Sequence, residues 1–127
     1  MKVMLFAVSK QDEPSRPPTK EAILAMHNFN EELEKAGVLV ALGGLTPTSQ
    51  GVRLKYSEGN TTVTDGPFTE AKEMIAGYAL LEVKSLADAV AWAKRAPFGV
   101  GVRPGEEAVV ELRPLFDPSN FDPGQGV

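Results

Sequence analysis

Lys2-Val3-Met4-Leu5-Phe6-Ala7-Val8 is apolar at every position after the first. A strand with one wet face alternates apolar and polar residues, whereas a strand covered on both faces reads as a continuous apolar run. Met4, Phe6 and Val8 would point to one side of a sheet, Leu5 and Ala7 to the other, and neither side is suited to water. The run Ile75 to Val83 repeats the pattern, with Tyr78 and Leu80 on one face and Ala79 and Leu81 on the other. Two such strands predict a sheet with a layer against each of its faces.

Between and beyond these strands lie two helices. Ser9 to Pro18 carries Pro14, Pro17 and Pro18 and reads as a loop. Thr19 can cap the helix that follows, with Lys20 and Glu21 in its first turn. Ala22, Met26, Phe29, Leu33 and Ala36 build its apolar stripe, and Gly37 ends it with a left-handed cap. Val38 to Leu42 reads as a second buried strand, stopped by Gly43-Gly44. Val52 to Tyr56 alternates apolar and basic residues; with the loop Ser57-Glu58-Gly59-Asn60 and the run Thr61 to Thr64 it predicts a hairpin. Ser85 caps a second helix, with Asp88 three residues on; Leu86, Ala89, Val90 and Ala93 form its expected buried face, and Pro97 stops it. Ala108 to Leu112 is the last strand.

Without the hairpin the order is βαββαβ, an α+β, ferredoxin-like pattern with a β-hairpin inserted. Two helices can cover only one face of its four-stranded sheet. The other face needs a further layer, and a second copy of the chain is the simplest source: a symmetric homodimer with sheets face to face.

The whole chain has 127 residues, a length that predicts one domain, here residues 1–116, followed by a Pro/Gly-rich tail at 117–127 that is mobile or docks on a neighbour. There is no Cys and one His, which excludes disulfides, thiolate nucleophiles and multi-His metal sites; no cofactor or metal is expected. A net charge of −4 gives no electrostatic case for nucleic acid or an anionic membrane, and no apolar run approaches the ~20 residues of a bilayer span. The expectation is a cytoplasmic protein.

Asp65-Gly66-Pro67-Phe68 is the most distinctive tetrapeptide. It reads as a turn, in which Asp65 accepts backbone N–H bonds and Gly66 supplies a permissive dihedral. Thr69-Glu70-Ala71-Lys72-Glu73 then sets two carboxylates and an ammonium just past the turn, either a solvated cluster or groups tuned for proton transfer. His27, at the border of the first helix's apolar stripe, is either a half-buried structural histidine or a general acid or base. Arg53 and Arg113 can grip a carboxylate bidentately or serve as edge-strand charges against aggregation. Gly43-Gly44-Leu45 lacks the spacing of a phosphate loop, and Trp92 reads as core or interface.

Asp65-Gly66-Pro67-Phe68-Thr69-Glu70-Ala71-Lys72-Glu73, followed by Ile75-Ala76-Gly77-Tyr78, closely resembles the signature of the YCII-related, or DGPF-domain, family. Glu31-Glu32-Leu33 through Ala36-Gly37-Val38-Leu39, Gly44-Leu45 and Arg113-Pro114 resemble that family as well, so that the likeness covers roughly residues 1–116. It implies a ferredoxin-like subunit in a dimeric α/β barrel. Most DGPF-domain proteins have no established activity, and many are encoded beside extracytoplasmic-function sigma factors. Relatives in the wider group have a His–Asp pair proposed as an acid–base site, and one branch eliminates chloride from chlorinated hydroxymuconates. His27 falls at the position of the family histidine. Val38 to Leu45 holds no acid to match its carboxylate partner, and Asp65 is the substitute, with Glu70 and Lys72 lining the same pocket.

Two functions follow as expectations. In the first, a cofactor-independent lyase or isomerase acts on a small polar or anionic molecule: His27 moves a proton, Asp65 orients or charge-balances it, and Arg53, Glu70, Lys72 and Arg113 bind the substrate. In the second, a non-catalytic module binds a small ligand or a partner protein through the dimer cleft. A purely structural dimer is a third option, which expects the DGPF turn to be dry and satisfied internally.

Overall fold

A computed structural model of the chain describes residues 1–9, 19–67 and 74–118. The loop expected before Thr19 and the tail beyond residue 118 lie outside the described residues. In chain order the elements are β1 (Lys2–Ser9), α1 (Lys20–Lys35), β2 (Leu39–Gly44), a 3-10 turn (Thr48–Gln50), β3 (Val52–Ser57), β4 (Asn60–Asp65), β5 (Met74–Glu82), α2 (Leu86–Arg95) and β6 (Val109–Pro114). β2, β5, β1 and β6 lie side by side in that order, every neighbouring pair antiparallel, while β3 and β4 form a separate two-stranded ribbon. This is the ferredoxin-like α+β arrangement with the hairpin inserted between the two halves. The sheet remains open within one chain.

Local signals set the ends of the elements. The Thr19 hydroxyl oxygen accepts from the Ala22 N–H at 3.1 Å, and the Ser85 hydroxyl oxygen accepts from the Asp88 N–H at 3.2 Å, each satisfying a donor that its helix leaves unpaired. At the end of α1, Gly37 adopts φ +74°, its N–H donates to Glu34 O, and the Val38 N–H donates to Leu33 O. These two bonds turn the chain straight into β2. The ribbon turns on Glu58 (φ 51°) and Gly59 (φ 79°), both left-handed, as a two-residue hairpin with the native strand twist requires. β2 does not stop before Gly43-Gly44 but runs through both, because Gly43 and Gly44 still pair with Tyr78 and Gly77 of β5.

The core fills one face of the sheet. Val3, Leu5, Ala79 and Leu81 lie under Phe29 and Leu33 of α1 and Ala89 of α2. Trp92 meets Phe29 edge-on, with ring centroids 6.4 Å apart, and the Arg95 guanidinium lies 4.7 Å above the Trp92 ring. Arg95 also reaches Glu32 at 2.6 Å, which joins the two helices at the surface. The face that α2 buries is Ala89, Trp92, Ala93 and Ala96, while Leu86 and Val90 are exposed. The helix is turned from its expected orientation toward Trp92, whose large apolar surface outweighs two aliphatic side chains. Ala36 of the α1 stripe is likewise exposed, because α1 ends there.

Candidate functional site

Among the described residues no helix packs against the other face of the sheet. Register places its residues: Phe6 stands opposite Tyr78 and Met4 opposite Leu80 on one side, and Phe6 opposite Glu111 and Met4 opposite Arg113 on the other. An irregularity between Ala7 and Val8 brings Ile75 level with Val8, so that Ile75 joins the same face. Gly43 lies opposite Tyr78, and a Cβ there would come within 2.7 Å of the Tyr78 hydroxyl oxygen. The missing side chain lets the phenol lie across β2. A groove of about 460 Å³ results, floored by Met4, Phe6 and Ile75 beside Tyr78 and rimmed by Leu45 and the segment Arg113 to Leu115. Its polar groups are one phenol and one guanidinium. Among the described residues no carboxylate pairs with Arg113, and no polar or charged residue is buried.

The chain between groove residues Leu45 and Ile75 contains the ribbon. Its root is held at the Asp65-Gly66-Pro67 turn, where the Gly66 N–H donates to Gly51 O at 2.9 Å. A Cβ on Gly66 would overlap the Thr48 carbonyl. The glycine is needed for space, and not for the unusual dihedral expected of it, since Gly66 is absent from the left-handed residues. The family model of the YCII-related domain matches residues 1–115. The chain belongs to the YCII-related family. It is also 40% identical over 60 residues to an uncharacterized protein of Rhizobium meliloti (strain 1021). That match spans 47% of this chain and 48% of the other, so about half the length of the curated relative.

Within this YCII-related domain the expected site residues occupy separate places. His27 lies on the outer side of α1 with its side chain 65% exposed, beyond the apolar stripe, and its Nε2 is 3.1 Å from Glu31 Oε1 one turn on. The helical period explains this: Met26 and Phe29 pack toward the sheet, and His27 points away from both. Asp65 ends β4 and is exposed. In the ribbon Asp65 pairs with Val52, and Arg53 pairs with Thr64. Successive residues point to opposite faces of a strand, so Asp65 and Arg53 project from opposite faces of the ribbon. Among the described residues, Arg113 is the expected binding residue that reaches the groove. Phe68, Glu70 and Lys72 lie outside the described residues. Among the described residues no group of three or more His, Asp or Glu side chains is placed to hold a metal ion, and no helix is long and apolar enough to cross a membrane.

Tyr78 is the groove residue that reading for chemistry passed over. The signal was present in the sequence: Tyr78 shares strand parity with Leu80 on the face left without helices, and a glycine pair ends the neighbouring strand. Only the register, which sets Gly43 opposite Tyr78, turns those facts into a site.

Proposed function

We propose that this YCII-related domain binds a small organic anion with an apolar body in the groove on its open sheet face, and that two copies pair sheet to sheet as a dimeric α/β barrel to close it. The observation carrying this reading is the Arg113 guanidinium, without a carboxylate partner among the described residues, at the rim of a largely apolar groove. Ligand sites of a few hundred cubic ångströms combine just these features, an apolar lining with a small number of orienting polar groups. Arg113 would take the carboxylate bidentately and the Tyr78 hydroxyl would add one hydrogen bond. Pairing of the open faces would remove Ile75, Tyr78 and the exposed part of Met4 from water and exclude solvent from the bound anion. A cytoplasmic setting, in keeping with a chain without cysteine, belongs to the same reading.

Calorimetric titration with benzoate and short alkyl carboxylates tests it. A hydrogen bond to a charged group is worth ~1.5–3 kcal/mol, so Arg113→Gln should weaken binding roughly tenfold or more. Equal affinity in the variant, or no binding of any carboxylate by the native chain, rejects the site. Sedimentation equilibrium tests the pairing, and a monomer at micromolar concentration refutes it.

An acid–base reading is favoured by one observation, the carboxylate of Glu31 beside His27, which orients the imidazole. In that reading His27 moves a proton in an elimination or isomerisation, Asp65 balances its charge, and Arg53, Glu70 and Lys72 bind the substrate. General acid–base assistance contributes ~10²–10⁴-fold, so His27→Ala should lower turnover of a responsive substrate by at least ~100-fold. An unchanged rate removes His27 from the chemistry.

A further inference from the structure

The β3–β4 ribbon is an unfinished piece of structure. Its strands pair with each other, and among the described residues neither packs extensively on the sheet or the helices. A two-stranded hairpin by itself is marginal in water and needs a further layer. The register divides its side chains cleanly. Val52, Leu54 and Tyr56 share one face with Val63 and Thr61, and Arg53 and Lys55 share the other with Thr64 and Thr62. The apolar face is open to solvent: Leu54 is 47% exposed, Val63 61% and Tyr56 74%. One charge stands on it, Asp65 at the root, opposite Val52.

The groove has the complementary character. Its lining is apolar apart from the Tyr78 phenol and the Arg113 guanidinium, a charge of the opposite sign, with Glu111 on the same sheet face two residues before Arg113. Neither Asp65 nor Arg113 has a side-chain partner among the described residues. The ribbon is inserted between Leu45 and Ile75, so it leaves and re-enters the body at the edge of the groove. Its root is held there by the Gly66 N–H bond to Gly51 O and by the close approach of Gly66 to the Thr48 carbonyl.

We infer that the ribbon is an arm whose apolar face, Val52, Leu54, Tyr56 and Val63, packs on the groove edge of a second copy of this chain, so that each site is built from two chains. This rests on the sheet-to-sheet pairing proposed above. The opposite charges fix the direction of docking, with Asp65 brought to the side of the groove where Arg113 of the partner subunit stands. A guanidinium has five N–H donors and can face this carboxylate while holding a ligand. The arm adds the second wall that a one-chain groove lacks.

Sedimentation velocity on the full chain gives the first test. Leu54→Glu with Val63→Glu should raise the dimer dissociation constant at least tenfold, with the circular dichroism spectrum and melting of the body unchanged, since these side chains lie outside the core. The second test uses the absence of native cysteine: singly substituted Leu54→Cys and Ile75→Cys chains, differently tagged, are mixed and oxidised. A disulfide-linked heterodimer is expected. A native dimer that shows neither the tenfold weakening nor the mixed cross-link overturns the arm and leaves the paired sheets standing. A native chain that is monomeric overturns both.

Discussion

The four-stranded sheet and the ribbon are made by the same antiparallel pairing, yet they finish differently. In the sheet β1 and β5 have neighbours on both sides, and one face lies under Phe29, Leu33 and Ala89. In the ribbon every strand is an edge, and the apolar side chains of Leu54, Tyr56 and Val63 remain in water. Backbone hydrogen bonding is therefore not what separates the two. The sheet is stabilised by the apolar area that the helices remove from solvent, and the ribbon awaits an equivalent cover. Apolar burial is consequently divided unevenly: the helix-covered face holds the body together, while the open face and the ribbon keep apolar side chains such as Ile75 and Leu54 exposed.

The sharpest contrast comes from one substitution made in both places. Leu81→Ala removes a side chain with no exposure and should cost ~2–5 kcal/mol. Leu54→Ala, on the exposed face of the ribbon, should stay within ~0.5 kcal/mol. Urea unfolding followed by circular dichroism measures both, and comparable losses would break the distinction. Gly66→Ala comes next, because the added Cβ must displace the Thr48 carbonyl; overpacking of this kind costs ~1–3 kcal/mol. Amide exchange should quicken along β3 and β4 while β1 and β5 keep their protection. Thr19→Ala deletes the cap of α1 and should lower the stability of the body by ~1 kcal/mol without touching the ribbon. The smallest effect belongs to the Glu32–Arg95 pair: with both side chains more than half exposed, a double-mutant cycle should give a coupling below ~1 kcal/mol.

The fold was legible because strand and helix patterns carry it locally. Thr19, Ser85 and Gly37 mark their termini by chemistry that acts within a few residues, and each does so in the structure. The open face was legible too, since Met4 and Phe6 could not be covered by two helices already occupied with Val3 and Leu5. The candidate site was less so. Whether Asp65 and Arg53 share a face depends on the ribbon register, and whether Tyr78 has room depends on which residue of β2 lies opposite; both are contacts between segments far apart in sequence. His27 lies one step farther out than the border of the stripe, because a single position on a helix is a rotation of about 100° and decides between stripe and solvent. Nothing local to Gly66 signals that the Thr48 carbonyl presses against it, since the contact joins residues 18 positions apart.

The placement of the aromatic residues has a spectroscopic consequence. The single tryptophan, Trp92, sits between Phe29 and Arg95 on the helix side, whereas the two tyrosines are Tyr56 on the ribbon and Tyr78 in the groove. Selective excitation of tryptophan therefore follows the melting of the body alone. Tyrosine absorbance follows the surroundings of the ribbon and the groove, so one unlabelled sample reports the cohesion of the domain and the state of its open face through two separate optical channels.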